Sequence, residues 1–232
     1  MLSLWPFISL SPHIAGFEWS PLVTTALRAN SKLLSPQFRY TPPRTPTSDL
    51  LAVHIRQGDY DTHCENLSGW GVQFMGLMQH PDLPSSDRFE PPFGAENEQQ
   101  RKEYYLKRCW PSVERIVERI EEVKREWEAV YGDSPAPDTE ADEGAQGGTN
   151  SQIQPLPSRR LRRLYIMTNE PPSSDFLPKL KERLFSVGDW DAVTSSDDLA
   201  LITAQSHITQ AIDAAIGERA TVFIGNGVSS SY

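Results

Sequence analysis

Short apolar runs that stop abruptly at polar turn residues constrain the fold of this chain most strongly. Residues 50–55 read LLAVHI and are followed directly by the turn sequence RQGD. Residues 164–167 and 221–224 repeat this pattern, and residues 190–193 predict a weaker fourth strand. A run that is apolar on both faces is typical of a strand buried in a parallel sheet. The chain is therefore predicted to contain parallel strands that end in polar loops.

Helical segments between these runs supply the crossovers that parallel strands need. Residues 21–30 predict a helix with Ser20 as its N-cap, and residues 99–131 predict one with apolar side chains at three- and four-residue steps. Pro111 in the second segment suits a first turn or a kink. Further helices are predicted over residues 174–184 and 197–216, the second of them capped near Ser195 or Ser196. The alternation of strands and helices predicts an α/β fold with a Rossmann-like, doubly wound parallel sheet. Ligands of such sheets bind at the carboxyl ends of the strands.

Composition divides the chain into two domains and two irregular segments. We interpret residues 1–48 as the remnant of an N-terminal domain with a proline-rich connector, and residues 49–232 as one ligand-binding domain. Residues 57–93 are rich in Gly, Pro, Asp and Ser and predict a long ordered loop. Residues 132–158 contain too few apolar side chains to offset the entropy of ordering, so we expect a disordered insertion there.

Charge and hydrophobicity exclude two classes of function. The chain of 232 residues has a formal net charge of -9, which argues against binding along a nucleic-acid backbone, since that needs clustered Lys and Arg. No stretch approaches the roughly 20 apolar residues of a membrane span. The apolar start, residues 1–16, lacks the positive charge that begins a secretory signal. We therefore expect residues 2–10 to form a strand or loop of a fold whose beginning is missing.

Two cysteines, Cys64 and Cys109, leave two possibilities open. They can form one disulfide or remain free thiols. Neither lies in a CxxC sequence, and no histidine cluster lies near them at the spacing of a zinc site. A structural zinc ion is therefore not expected.

The end of the first strand carries groups suited to binding a phosphate. Side chains alternate along a strand, so His54 and Arg56 point the same way. The guanidinium of Arg56 can bind two phosphate oxygens at once, and Gly58 lets the backbone turn closely. The alternative is an Arg56–Asp59 salt bridge that only holds a loop.

Two other strand ends carry polar groups with weaker individual signals. Asn169 and Glu170 follow the second strand, where they could hold a sugar hydroxyl or simply form a turn. The sequence GNGVSSS at residues 225–231 offers backbone N–H and hydroxyl donors, including those of Ser229 and Ser230. Such a segment could hold a phosphate or be a flexible turn.

Asp213 is a carboxylate in the helix that precedes the last strand. It lies among Ile212, Ala214, Ala215 and Ile216. It either lies on a solvated helix face or binds a specific partner, and the adjacent N–H donors of a guanine edge are one such partner.

In this order, three segments resemble the GDP-fucose protein O-fucosyltransferase family. LLAVHIRQGDY resembles its HIRRGDY strand–turn motif, and LYIMTNE resembles its second strand-end motif. QAIDAAIGERATVFIGNGVSSSY resembles the helix, strand and loop that close its donor site. The likeness extends from about Trp19 to the last residue and is interrupted at residues 132–158. Each motif alone is unspecific, whereas the ordered combination is specific.

The resemblance implies a fold, a reaction and a location. Members have two facing Rossmann-like domains of the GT-B type, and residues 49–232 would form the domain that holds GDP-fucose. The implied enzyme transfers fucose with inversion to a protein Ser or Thr hydroxyl, or to a glycan hydroxyl. It acts in the secretory lumen, that is, the endoplasmic reticulum or Golgi, and needs no metal or cofactor beyond the donor. The alternative is a catalytically inactive GDP-binding remnant or binding module of the same fold.

The resemblance also implies a role for each candidate residue. Arg56 would bind the β-phosphate and stabilise the departing GDP, which is the decisive electrostatic role in such a transfer. Cys64 and Cys109 lie where similar sequences carry cysteines, which favours a disulfide. The remaining roles are contacts to the guanine for His54 and Asp213, to the phosphates for Ser229 and Ser230, and to the ribose or pyrophosphate for Asn169 or Glu170.

The chain departs from the family pattern in three respects. Gln57 stands where the second arginine of the motif is usual, which lowers the local positive charge. The catalytic base varies among members, and the first domain, which supplies a glutamate in some of them, is largely absent from this chain, so that the local candidates are Glu65, Asp59 and Asp61. The chain ends at Tyr232, where a helix is expected to begin. Without the donors of that helix the diphosphate would be held less well, so we expect this chain alone to be weakly active or inactive.

Overall fold

A four-stranded parallel sheet forms the centre of the fold. Its strands are β1 (Leu50–Ile55), β2 (Arg163–Thr168), β3 (Ala192–Ser195) and β4 (Val222–Ile224), in the order β3-β2-β1-β4. The predicted α/β fold with a Rossmann-like, doubly wound parallel sheet is confirmed. The structure is a computed structural model, and it describes residues 10–11, 16–35, 46–58, 60–71, 88–89, 97–132 and 160–225.

Helices cover both faces of this sheet. A single-turn 3-10 helix, Ser196–Asp198, follows β3. No helix in the described ranges combines the length and apolar character needed to cross a membrane. The α-helices of the described residues are α1 (Pro21–Ala29), α2 (Ser31–Leu34), α3 (Asp61–Trp70), α4 (Glu98–Cys109), α5 (Val113–Tyr131), α6 (Phe176–Val187), α7 (Thr203–Ser206) and α8 (Thr209–Arg219).

The alternating side chains of β1 are buried in two separate cores. Leu51, Val53 and Ile55 pack with residues of α5 and α6 on one face. Leu50 and Ala52 pack with residues of α1, α2 and α8 on the other. Because both faces are covered, every apolar side chain of the run is buried, as its composition predicted. Helices α1 and α2, which precede the predicted boundary at residue 49, thus pack on this same sheet.

The strand order creates a switch point at the carboxyl ends of β1 and β4. From β1 the chain passes to β2 and then to β3, and it returns to the opposite side of β1 as β4. Val53 lies opposite Ile224 in the register of that last pair. Loops that leave the two strands at such a point diverge and leave a crevice, where open α/β sheets bind ligands. Arg56 follows β1 at this edge.

The helix predicted over residues 99–131 is divided into two helices, and the division lies at the proline where a kink or a first turn was expected. Helix α4 ends at Cys109, and α5 begins at Val113. Pro111 has no backbone N–H to continue the first helix. Ser112 then begins the second helix, since its hydroxyl accepts a hydrogen bond from the backbone N–H of Arg115 at 3.3 Å.

The helix predicted over residues 197–216 is also interrupted. Asp198 accepts hydrogen bonds from both the backbone N–H and the hydroxyl of Ser195, which closes a single turn. The chain then becomes extended at Leu199, and α7 and α8 follow as separate helices. Local capping therefore ended the helix earlier than the apolar pattern indicated.

Other boundaries differ by a smaller margin. The predicted helix at residues 174–184 begins at Phe176 and ends at Val187, and the predicted strand at 190–193 begins at Ala192. The helix predicted at residues 21–30 is confirmed as α1, with the hydroxyl of Ser20 accepting from the backbone N–H of Val23. Most of residues 2–10, 35–48 and 132–158 lie outside the described residues.

The loop predicted at residues 57–93 is partly wrong, because α3 lies within it. This helix has few apolar side chains, so its sequence gave little helical signal. Cys64 of α3 is joined by a disulfide to Cys109 of α4, which settles the choice between a disulfide and free thiols. Both cysteines are fully buried with Leu67, Phe89 and Tyr105. The helix is thus stabilised by a partner distant in sequence.

We expect loss of the disulfide to destabilise the fold. The bridge spans a sequence separation of 45 residues, and closing a loop of that length removes roughly 4 kcal/mol of chain entropy from the unfolded state. Cys64→Ala/Cys109→Ala should therefore unfold at lower urea concentration than the wild type. A reducing agent should lower the wild-type midpoint and leave that of the variant unchanged. Equal midpoints under oxidising conditions would contradict this expectation.

Candidate functional site

Arg56 lies at the carboxyl end of β1 and is half-buried. Its guanidinium carbon is 5.1 Å from the centre of the Tyr60 ring, which is within cation–π distance. The Tyr60 ring contacts the ring of His63, with their centres 4.8 Å apart. The aromatic pair thus supports one face of the guanidinium and orients the cation. Sequence reasoning missed Tyr60, although an aromatic residue four positions after the arginine was visible.

His54 lies two residues before Arg56 and is also half-buried. Burial, and then the positive charge of Arg56, lowers the pKa of His54 below its usual 6.5. The imidazole is therefore neutral at pH 7. In this form one ring nitrogen donates a hydrogen bond and the other accepts one.

Asn169 joins the end of β2 to the end of β1. Its Oδ1 accepts from the backbone N–H of Gln57 at 3.1 Å, and its Nδ2 donates to the backbone carbonyl of Gln57 at 3.2 Å. Both polar atoms of this side chain thus serve the backbone next to Arg56. The structure places Asn169 as a brace of the site, and its predicted contact with a ribose or pyrophosphate stays a prediction.

Glu170 lies beside Gly58 at the same edge. The backbone N–H of Glu170 donates to Thr168 Oγ1 at 3.1 Å, which closes a short turn after β2. Gly58 has a φ of 74°, and a Cβ at that position would lie 3.8 Å from Glu170 Oε2. This oxygen is buried and has no hydrogen-bond partner among the described residues. Glu170 therefore differs from Asn169, whose polar atoms are both used.

Gln57 is buried on the opposite side of the strand end from the site. Its Nε2 donates to the backbone carbonyl of Pro111 at 3.2 Å, just before α5. The amide thus ties β1 to the link between α4 and α5. Gln57 stands where the HIRRGDY motif has its second arginine. Because the Gln57 side chain points into the fold, this difference affects the packing of the strand end.

Asp213 is buried, so the interpretation as a solvated helix face is wrong. The Tyr165 hydroxyl donates to Asp213 Oδ1 at 2.6 Å. The Ser196 hydroxyl lies 3.1 and 3.0 Å from the two carboxylate oxygens. Burial raises the pKa of Asp213 to about 6, against the lowering effect of these hydrogen bonds. The carboxyl group links α8 to β2 and to the turn after β3, and its predicted guanine contact stays a prediction.

The remaining candidate residues lie apart from Arg56 or outside the described part of the chain. Ser229, Ser230 and Asp59 are in the second group, so neither the phosphate contacts of the serines nor an Arg56–Asp59 salt bridge is tested. Glu65 is exposed and pairs with Lys102 at 2.9 Å. Asp61 is exposed in the first turn of α3, where its Oδ1 accepts from the backbone N–H of Thr62.

Comparisons with known proteins do not assign this chain to a family. The chain matches no protein-family model, and no curated protein or solved structure is significantly similar to it. The likeness to the O-fucosyltransferase family therefore depends on the sequence motifs given above. The fold and the placement of His54, Arg56 and Glu170 at one edge of the sheet stand independently of that likeness.

We expect Asn169→Ala to destabilise the fold moderately. The variant removes both hydrogen bonds to the backbone of Gln57, which should lower the free energy of unfolding by about 1–2 kcal/mol. Urea denaturation measures the change. Asn66→Ala, on the exposed face of α3, is the matched control and should behave like the wild type. If both variants unfold alike, Asn169 does not brace the strand ends.

Asp213 should make stability depend on pH in a defined direction. The folded protein keeps the Asp213 proton up to about pH 6, whereas the unfolded chain releases it near the usual pKa of 3.8. The contribution of Asp213 therefore falls as pH rises between these values and is constant above them. Relative to the wild type, Asp213→Asn should gain about 3 kcal/mol of unfolding free energy from pH 3.5 to pH 7.

Urea unfolding of both proteins across this pH range measures the difference. The same change at the exposed Asp175 is the control and should show no such trend. A difference between Asp213→Asn and the wild type that stays constant with pH would show that burial does not hold the carboxyl group protonated.

Proposed function

We propose that this chain binds a guanosine diphosphate sugar of the GDP-fucose type, and that it belongs to an enzyme that transfers fucose to a hydroxyl group. The observation that carries the proposal is the position of Arg56 at the carboxyl end of β1, beside the switch point of a parallel sheet. Parallel α/β sheets bind ligands at this place, and a guanidinium there suits a diphosphate. We infer the nucleotide, GDP, and the sugar, fucose, from the ordered motifs that resemble those of O-fucosyltransferases.

Arg56 has the chemistry that the transfer step needs. The acceptor oxygen would bond to the anomeric carbon of fucose as the bond from that carbon to the β-phosphate oxygen breaks. Both bonding electrons leave with GDP, whose negative charge rises in the transition state. A cation already oriented by Tyr60 stabilises this charge without reorganising during the reaction.

His54 suits the contact with the base. A neutral imidazole both donates and accepts hydrogen bonds, and a guanine edge offers both kinds of partner. Asp213 already accepts hydrogen bonds from Tyr165 and Ser196 inside the fold. We therefore assign the principal base contact to His54 and keep Asp213 as a secondary candidate.

The secretory lumen remains our proposed location. The buried disulfide between Cys64 and Cys109 supports it, because structural disulfides persist in oxidising compartments. The acceptor would be a protein Ser or Thr, or a glycan, in that compartment.

A second candidate function is GDP binding without transfer. Two of the local carboxylates considered as catalytic bases are engaged elsewhere, since Glu65 pairs with Lys102 and Asp61 accepts from the backbone of Thr62. A binding module would use the same contacts for GDP and would need no base.

Titration calorimetry of the full chain with GDP tests the proposal. Arg56→Ala should weaken GDP binding by roughly one to two orders of magnitude, because it removes a charge-assisted hydrogen-bond donor. The affinity of Arg56→Lys for GDP should lie between those of this variant and the wild type, since lysine keeps the charge but lacks the two parallel N–H donors of the guanidinium. Arg183→Ala, on the exposed face of α6, is the matched control and should bind like the wild type.

The outcomes separate the two candidate functions. Binding of GDP together with fucose transfer to an acceptor supports the enzyme. Binding without transfer supports the donor site and fits both candidates, because this chain alone is expected to be weakly active or inactive. If the wild type does not bind GDP, or if Arg56→Ala binds as tightly as the wild type, the donor-site assignment is wrong.

A further inference from the structure

An acceptor sequence for an N-linked glycan lies in α3, outside the strand ends described above. Residues 66–68 read Asn-Leu-Ser, and N-linked glycans are attached to Asn-X-Ser or Asn-X-Thr where X is not proline. No other asparagine of the chain has Ser or Thr two positions later. So short a sequence also occurs by chance, and its meaning therefore depends on where the fold places it.

The fold presents Asn66 to solvent. Cys64 and Leu67 are buried against residues of α4, and the backbone carbonyl of Ser68 accepts from Nε of Arg101 in α4 at 2.8 Å. At 3.6 residues per turn, Asn66 lies on the opposite side of α3 from these three residues. It is exposed, and its side chain makes no hydrogen bond within the described residues. A glycan at Asn66 would therefore leave the packing of the two helices undisturbed.

Trp70 gives the same face of α3 a surface that a sugar can cover. Trp70 is 69% exposed, whereas tryptophan is highly buried on average. Asn66 and Trp70 are four residues apart on one helix, so their side chains are neighbours. The first sugar of a glycan at Asn66 would place the C–H groups of its ring over the indole. This contact would remove apolar surface from water.

The disulfide next to the acceptor sequence indicates the compartment that glycosylation requires. Cys64 lies two residues before Asn66 and is bonded to Cys109. Structural disulfides persist in oxidising compartments, and one of these, the lumen of the endoplasmic reticulum, is where N-linked glycans are attached. The buried disulfide and the exposed asparagine of this helix therefore agree on one location.

The structure of α3 also determines when the acceptor sequence can be modified. In the folded helix Ser68 is buried, and its hydroxyl donates to the backbone carbonyl of Glu65 at 2.6 Å. The hydroxyl is thus unavailable beside Asn66, so glycosylation must precede folding of α3. The partners that bury this helix, Phe89 and the residues of α4, follow it in the sequence. The acceptor sequence therefore stays accessible until those partners have been synthesised.

We propose that Asn66 is an N-glycosylation site and that the first sugar of its glycan covers Trp70. In the transfer, Nδ2 of Asn66 bonds to the anomeric carbon of an N-acetylglucosamine carried on a lipid diphosphate. The bond from that carbon to the diphosphate oxygen breaks, both of its electrons leave with the diphosphate, and Nδ2 loses a proton. This inference shares the secretory location with the proposed function but does not depend on GDP binding, so each can fail alone.

Expression of the full chain behind a secretion signal in a eukaryotic cell, followed by peptide N-glycosidase, tests the site. The wild type should run as a heavier band that the enzyme reduces to the mass of the bare chain. Asn66→Gln and Ser68→Ala should lack this band, because they remove the acceptor amide and the required hydroxyl, whereas Ser68→Thr should keep it. Asn97→Gln alters an asparagine outside any acceptor sequence and is the matched control.

A second control shows that the chain has entered the lumen. Gln152→Thr creates a new acceptor sequence at Asn150. A glycan at Asn150 in this variant together with an unmodified Asn66 would overturn the proposal, as would a heavier wild-type band that persists in Asn66→Gln. Because glycosylation precedes folding, the bands report on the site even for a variant that folds poorly.

Thermal unfolding tests the contact with Trp70. Removal of the glycan from the wild type should lower its Tm by roughly 2–4 °C, and Trp70→Ala should show a smaller fall because the sugar has no indole to cover. Val130→Ala, at an exposed apolar residue of α5, is the control and should respond like the wild type. An equal fall in Trp70→Ala and the wild type would show that the sugar does not lie on the indole. In protein made without glycosylation, Asn66 is a bare exposed side chain, and its replacement should leave Tm unchanged.

Discussion

The structure depends on the position of β1, which is bonded to a parallel strand on each side and covered by helices on both faces. A strand in this environment is apolar along most of its length, and the polar side chains of β1 and the residue after it, His54 and Arg56, lie at its carboxyl end. Arg56 is the first charged residue after that burial ends. The burial that stabilises the sheet therefore also determines where a cation can reach a ligand.

Neighbouring polar side chains around this strand end make different kinds of contact. Tyr60 orients the guanidinium of Arg56, and Arg56 in turn helps to keep His54 neutral. Asn169 uses both of its polar atoms to hold the strand ends together, whereas the adjacent Glu170 keeps an acceptor unused among the described residues. Two adjacent residues in one turn thus differ in role, because the side chain of one reaches the backbone of β1 and that of the other does not.

Helices and strands that neighbouring residues specify could be predicted from the sequence. Those that depend on contacts with residues far away in the sequence could not. The apolar runs that form β1 and β2 and the N-cap of α1 were correctly identified, because burial and capping act on neighbouring residues. Helix α3 was missed, because the disulfide to Cys109 and the packing of Phe89 stabilise it. The chain breaks at Pro111, where a kink or a first turn was expected, and Ser195 is a cap as expected, whereas the extended segment between Asp198 and Thr203 was missed.

The sequence by itself determined the fold class and which residues stand at the strand ends. Buried parallel strands consist of consecutive apolar residues, so their ends are visible in the sequence. Only the tertiary structure decided which contacts those residues make within the fold. Asp213 was expected on a solvated face or at a ligand; the structure shows it buried and hydrogen-bonded to Tyr165 and Ser196, which overturns the solvated face only. Its partners come from elements far apart along the chain, and their approach depends on how the helices pack on the sheet. The same packing decided that Asn169 braces the site and that the Glu170 carboxylate faces the space beside Gly58.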